Sequence, residues 1–523
     1  MTRASAGALV AAALTAALAL RGARLDVRPM HHDEANQAIK FGSLLERGEY
    51  HYDFRDHHGP TLYYLTLPSA WFSGRHTLAS LDEVTLRRVP VAFGVATILL
   101  LPLLSAGIGR TATVVAAILM AASPAMVFYS RMFIQESLFA CFTLAFVIAV
   151  GRIATDGGRA WWVLAGIAAG FAMATKETSV IVLPTAITSC TIAWWSLGSE
   201  RPQNAMTSRP WRVPLVTGVA AAAAVAVAFY SSFFTAPASI LEPFRGTSTY
   251  VARGIDPTSH AHPWNYYFRL LTYTSSGGTR WSEGLVIALA LVGAATAWRR
   301  PSRSDPGKTF WARYLACDAV MAAAIFSAIP YKTPWNVLPF YVVTFAVAGI
   351  GFAALVETTR SRAFRSVLGA TLILASFNLG WQAWRAAVTY SADPRNPYVY
   401  AQTVPDAVRM ATRILSLIAL HADGTRMQVS VIASPDEQWP LPWYLRTLPN
   451  VGYWSVAGDP LAMQAPVIVS SMENAPAVEA ALGDRYESEF FGLRPDVLLN
   501  LYVERGLVRA ERSEQRRASG VTR

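Results

Sequence analysis

Ser130-Arg131-Met132-Phe133-Ile134-Gln135-Glu136 stands between two apolar runs, one over 111–129 and one over 133–152. Each run approaches the roughly 17 to 25 residues that a helix needs to cross a bilayer. An Arg and a Glu in the turn between them read as a helical hairpin through a membrane, its charges held at one surface where they stay solvated. Working outward, further apolar runs lie near 5–22, 86–107, 160–175, 178–196, 213–234, 283–298, 311–329, 335–356 and 366–387. The expected fold class is therefore a polytopic α-helical membrane protein with about eleven transmembrane helices.

Composition agrees. Of 523 residues, 53% are hydrophobic and 15% charged, against about 25% charged in soluble domains. Mean hydropathy is +0.30. On a soluble chain the net charge of +11 would suggest nucleic acid. Here the basic residues gather in short loops on one side: Arg110; Arg152 and Arg159; Arg201, Arg209 and Arg212; Arg299, Arg300, Arg303, Lys308 and Arg313; and Arg360, Arg362 and Arg365. Such loops stay in the cytoplasm, so the N-terminus is expected inside a cell (inner) membrane and no nucleic-acid partner is expected. The first run, after Arg3, lacks a small-residue cleavage site before Arg21 and reads as an uncleaved helix. Cys141, Cys190 and Cys317 lie inside apolar runs and suggest neither a disulfide framework nor a sulfur-based zinc site.

On this topology the transmembrane part covers 1–389, with external loops at 24–82 and 235–283. The first loop should hold interfacial helices near Asp33–Arg47 and Pro60–Phe72. A small extracytoplasmic α/β domain follows at 390–508. Thr403, Pro405 and Asp406 read as a helix start, Gln428–Ala433 and Pro466–Ser470 as strands, and Pro476–Leu482 as a short helix. The charged stretch 509–523 is expected to be disordered.

The short external loops carry only three cations, Arg131, Lys176 and Lys332, and each sits in a polar motif. Arg131 could hold a phosphate with its planar fork or pair with Glu136 to fix the turn. Lys176-Glu177 and Tyr331-Lys332-Thr333-Pro334-Trp335 bring two more cations to the height of a lipid phosphate, or let them snorkel there. In His31-His32-Asp33-Glu34 a carboxylate at the bilayer edge could act as a general base; acidic residues at a helix start are also ordinary caps. The cluster from Asp53 to Pro60, with His57 and His58, joins His31, His32 and His51 in offering groups for a divalent metal. Its spacing matches no standard metal motif, so a substrate-shaping loop is preferred and no cofactor is assigned. Trp439 and Pro440–Arg446 could stack on a sugar, but such clusters more often pack a small domain.

Taken in order, these residues resemble the polyprenyl-phosphate-dependent GT-C-type glycosyltransferases of the protein O-mannosyltransferase superfamily. Asp33-Glu34 matches the acidic pair of the first external loop, His58-Gly59-Pro60 loosely matches a proline-containing segment, and Arg131 with Glu136 matches the second external turn. The segment before Pro60 reads His-His-Gly-Pro where the superfamily often has Lys-Pro-Pro. Within the superfamily, His32-Asp33-Glu34, Thr175-Lys176-Glu177, Tyr331–Trp335 and Asn396-Pro397-Tyr398-Val399-Tyr400 are most similar to the flippase activity-associated group of archaeal N-glycosylation type. The resemblance implies a membrane transferase that moves a sugar from a polyprenyl-phosphate carrier to a hydroxyl of a protein, lipid or glycan on the extracytoplasmic face. Asp33 would be the base and Glu34 would orient it. Arg131, Lys176 and Lys332 would hold the departing phosphate. Glu136, Glu177, His32, His58, Tyr331 and Trp335 would support them. The alternative is a polyprenyl-linked sugar flippase, or a flippase partner, without transfer chemistry.

Overall fold

The computed structural model describes residues 1–55, 58–201, 211–255, 260–299 and 305–518. Asp56, His57, Arg209, Arg300, Arg303 and the last five positions of the tail lie outside the described residues.

The membrane part is built from α1 (Arg3–Gly22), α4 (Glu83–Leu100), α5 (Arg110–Ala122), α6 (Glu136–Asp156), α7 (Arg159–Met173), α8 (Ser179–Ser196), α9 (Arg212–Tyr230), α10 (Gly284–Ala297), α11 (Pro306–Ala328), α12 (Leu338–Thr358) and α13 (Arg362–Trp384). Among the described residues, eight helical stretches are long and apolar enough to cross a membrane, and α5, α7 and α10 are shorter apolar helices. The chain is a polytopic helical membrane protein. Its apolar runs are legible because a spanning helix must satisfy every backbone group internally and face lipid with side chains alone. Where helices meet inside the bundle, small residues let backbones touch: a Cβ on Gly293 of α10 would lie 2.1 Å from the Val347 carbonyl of α12.

Between α1 and α4 lie α2 (His32–Arg47) and α3 (Thr61–Phe72), close to the expected bounds. α2 starts with a reciprocal cap: the His31 ring accepts from the Asp33 amide, and Glu34 accepts from the His31 amide. Trp71 and Phe72 at the end of α3 are exposed, as suits a membrane boundary.

The C-terminal domain holds α14 (Pro405–Ile418), a sheet, α15 (Ala475–Leu482) and α16 (Arg505–Ala518). A short hairpin, β1 (Thr274–Ser276) with β2 (Thr279–Trp281), precedes α10. The main strands are β3 (Val429–Ile432), β4 (Val451–Trp454), β5 (Val467–Ser471), β6 (Tyr486–Arg494) and β7 (Val497–Glu504), in the order β4-β3-β5-β7-β6. β4, β3 and β5 run parallel, and the β6–β7 hairpin adds antiparallel.

Two expectations are corrected here. Thr403 does not cap α14: its hydroxyl is buried without a partner, and Val404 precedes the Pro405 first turn. The stretch 509–518 is helix, not disordered tail. α16 anchors itself by burying Leu507 and Val508 and by ion pairs of Arg512 with Glu487 and of Glu511 with Arg413, so its charge is one face of an amphipathic helix.

Candidate functional site

The site forms where α2 starts, at the end of the bundle that carries the C-terminal domain. Glu34 turns inward and is fully buried. Its carboxylate accepts from Arg87 Nε and Nη2 at 2.8 and 2.9 Å, from Arg28 at 3.3 Å and from the Phe133 amide at 2.8 Å. Burial alone would raise its pKa, but the two guanidiniums override it and hold it down at about 2. Glu34 thus clasps α2 to α4 and to the turn before α6, and every lone pair it offers is engaged.

Asp33 turns the other way. Its side chain keeps 38% of its surface, with Oδ2 3.7 Å from His31 Nδ1. Since His31 Nδ1 accepts from the Asp33 amide (3.1 Å), its Nε2–H donates to the Tyr400 carbonyl (3.0 Å). The His31 ring packs 5.7 Å from Trp335, which packs 5.9 Å from Tyr400. The Tyr400 hydroxyl shares a hydrogen bond with His260 Nδ1. His260 also feels the Asp33 charge, although burial dominates and lowers its pKa.

Residues 260–262 bind the second motif edge to edge. Lys332 N–H donates to the His260 carbonyl (3.0 Å), His262 N–H donates to the Pro330 carbonyl (3.2 Å), and Ala261 pairs with Tyr331. The Tyr331 ring lies 5.2 Å from His260. Lys332 Nζ donates to the carbonyls of His262 (3.1 Å) and Ile329. It has no carboxylate partner among the described residues, and burial lowers its pKa. An ammonium has three N–H donors, so one is left over.

The third motif meets the second at Asn336. Lys176 Nζ donates to Glu136 Oε1 and to Asn336 Oδ1, both at 2.7 Å, which again leaves one donor. His58 Nδ1 lies 2.6 Å from Glu177 Oε2. Burial lowers the His58 pKa, but the Glu177 charge and hydrogen bond reverse this and raise it. The contact depends on Gly59, whose amide donates to the Thr175 carbonyl at 3.1 Å. A Cβ there would strike the Ala174 carbonyl at 2.1 Å. Around this pair Glu136 Oε2, Gln135 Nε2 and Thr333 Oγ1 are buried polar atoms without a hydrogen-bond partner. Such atoms are uncommon and call for an explanation.

The sequence-derived set is thus divided. Asp33, Lys332, Tyr331 and Trp335 join one network of contacts; Lys176, Glu136, Glu177 and His58 join a second, which meets the first at Asn336. Arg131 does neither. Its guanidinium caps α1, donating to the carbonyls of Leu20, Arg21, Ala23 and Arg24. Glu136 pairs with Lys176, not with Arg131. His32 faces the C-terminal domain, its ring 5.9 Å from Trp439. No group of three or more His, Cys, Asp or Glu residues that could hold a metal occurs among the described residues; both His31 nitrogens and the Nδ1 atoms of His58 and His260 are engaged in hydrogen bonds.

Sequence reasoning missed His260, His262, Tyr400 and Asn336 as members, and Arg28 and Arg87 as the partners of Glu34. It also missed Glu283, buried under Ser123 (2.5 Å), the Ala125 amide (2.9 Å), Tyr341 (2.9 Å) and Tyr398 (2.8 Å). The available signals were the His and Tyr content of the second external loop and an acidic residue at the head of an apolar run.

Comparison with known proteins agrees with this architecture. Residues 69–230 match the family described as dolichyl-phosphate-mannose-protein mannosyltransferase. The fold is similar to that of ArnT from Cupriavidus metallidurans bound to undecaprenyl phosphate, with a TM-score of 0.64 at 15% identity over 97% of this chain and 99% of that one. This chain has a GT-C-type fold. The archaeal oligosaccharyltransferase AglB from Archaeoglobus fulgidus, in complex with an inhibitory peptide and a dolichol-phosphate, shares the GT-C fold with a TM-score of 0.54 at 13% identity, over 93% of this chain and 74% of that one. No curated protein matches the chain in sequence.

Proposed function

We propose that the chain is a membrane glycosyltransferase. It would take a sugar from a polyprenyl-phosphate carrier and join it to an acceptor hydroxyl on the extracytoplasmic face of the inner membrane, with the N-terminus in the cytoplasm. The observation that carries the reading is the split of the acidic pair: Glu34 is locked in its clasp, while Asp33 keeps 38% of its side-chain surface and its charge reaches His260, whose carbonyl accepts from the Lys332 amide; Lys332 and Lys176 each have an N–H to give. The undecaprenyl phosphate and dolichol-phosphate of the similar structures support a lipid-phosphate donor.

In the reaction the acceptor oxygen attacks the anomeric carbon and Asp33 takes its proton. The bond from that carbon to the phosphate oxygen breaks, and its electron pair leaves with the carrier phosphate. The phosphate is already a good anion, so it needs positive charge more than a proton. Lys332 and Lys176 would supply that charge at the place where it develops. Displacement in one step inverts the sugar. Glu34 is a positioning residue, and Arg131 supports the site by holding the end of α1. Glu136, Glu177, His58 and Asn336 orient the Lys176 side; Tyr331 and Trp335 wall the acceptor side.

The test is transfer of label from polyprenyl-phosphate sugars in membranes. Asp33→Asn should lower it by roughly 100-fold or more, the usual worth of a general base. Equal transfer by the two proteins would remove Asp33 from the reaction.

A further inference from the structure

The main sheet of the C-terminal domain is covered unevenly. Side chains alternate along strands, so Gln428, Ser430 and Ile432 share a face with Asn450, Gly452 and Trp454 of the neighbouring strand. Near the middle of the sheet that face is closed: Ile432, Ile468 and Tyr502 pack with Ala462, Val478 and Leu482. At β4, the edge strand, the cover ends in a cleft of about 330 Å³ lined by Gln428, Asn450, Val451, Gly452 and Trp454.

The chemistry of this cleft is specific. The Trp454 ring lies against its own strand, so close to Gly452 that a Cβ there would come within 1.9 Å of it. Its indole N–H is tied to Asp459 at 3.0 Å. The Gln428 and Asn450 amide groups donate to the Leu461 and Arg426 carbonyls at 3.1 and 2.7 Å, which fixes both side chains and leaves their amide oxygens to accept. Ser430, in register with Gly452, is fully buried and its hydroxyl has no partner. No Lys or Arg lines the cleft, so it does not suit a phosphate. An aromatic face with fixed amide acceptors beside it suits a sugar: the C–H face of the ring stacks, and the hydroxyls donate to the amide oxygens.

We propose that the β4-edge cleft is a carbohydrate-binding site, separate from the site at α2, that takes a neutral mono- or oligosaccharide. The proposal does not depend on the transfer reaction. Its test is calorimetric titration of the purified full chain in detergent with tetrasaccharides of mannose, glucose and galactose as probes. Wild type should bind at least one of them. Gln428→Met keeps the length of the side chain but removes its amide, and should weaken that binding about fivefold, the worth of about one hydrogen bond. Gly452→Ala pushes a methyl group into the Trp454 ring and should weaken it further. Both comparisons are made on proteins with unchanged melting temperature. If Gly452→Ala fails to fold, Gln428→Met alone decides. No binding of any probe by wild type overturns the proposal, and so does binding that the variants leave unchanged.

Discussion

Asp33 and Glu34 are neighbours with opposite surroundings because successive side chains on a helix point about 100° apart. One faces the bundle and its guanidiniums; the other keeps 38% of its surface beside His31. Lys332 has a comparable asymmetry. It is buried among carbonyl oxygens, with no carboxylate partner among the described residues, and burial lowers its pKa. A lysine with a depressed pKa loses its charge at a lower pH than usual, so affinity for a lipid phosphate should fall as pH rises from neutrality toward the ordinary lysine value of 10.5. Lys332→Arg keeps the charge over that range and should flatten the profile. Binding of polyprenyl phosphate between neutral and alkaline pH measures this; a wild-type profile as flat as that of the arginine variant would show that Lys332 does not touch the phosphate.

At the scale of elements, the Glu34 clasp decides where α2 sits. Glu34→Gln leaves Arg28 and Arg87 buried with no anion, and breaking a buried pair costs about 3–5 kcal/mol. The variant should melt well below wild type. Because its folded pKa is lowered, Glu34 contributes stability that is present above the ordinary carboxylate range and lost as pH falls through about 2; wild type should therefore hold its advantage over Glu34→Gln through mildly acid pH. Equal melting temperatures would mean that the clasp is dispensable. Elements of this kind were readable to different degrees. The spanning helices and both loop helices were legible, because long apolar runs and a cap followed by a periodic stretch are local signals. β3 and β5 were legible as Val-rich runs. β4 was not, since Val451–Trp454 is four residues containing a glycine. The β6–β7 hairpin passed unread although Pro495-Asp496 marks its turn, with Asp496 at φ +63°. The site was half legible. Asp33, Lys176 and Lys332 stand out as charges beside apolar runs. His262 and Asn336 do not, because their roles exist only once segments 70 and 160 residues apart in sequence meet. Arg131 misled for a physical reason: a cation at a helix turn can serve carbonyl oxygens as well as a phosphate.

At the scale of the whole molecule, the C-terminal domain is fastened to the base that carries Asp33. Trp443 is fully buried against the α2–α4 cluster, and its indole N–H donates to Glu83 at 2.8 Å. Arg446 stacks over the same ring at 3.7 Å and donates to the Leu78 and Leu81 carbonyls. The Met30 amide donates to the Tyr444 hydroxyl at 2.8 Å, and Gln402 donates to the Pro29 carbonyl at 2.9 Å. These contacts hold residues 29 and 30, just ahead of α2 and Asp33, against the domain. Trp443→Ala removes the ring and leaves Glu83 without its donor, a change worth about 3–5 kcal/mol for a buried tryptophan. It should speed proteolytic cleavage in the 390–404 link and lower transfer together, whereas Trp443→Phe, which keeps most of the packing, should do less of both. Trp443→Ala protein that is cut faster yet transfers at the wild-type rate would separate the two effects and leave the position of Asp33 to the membrane helices alone.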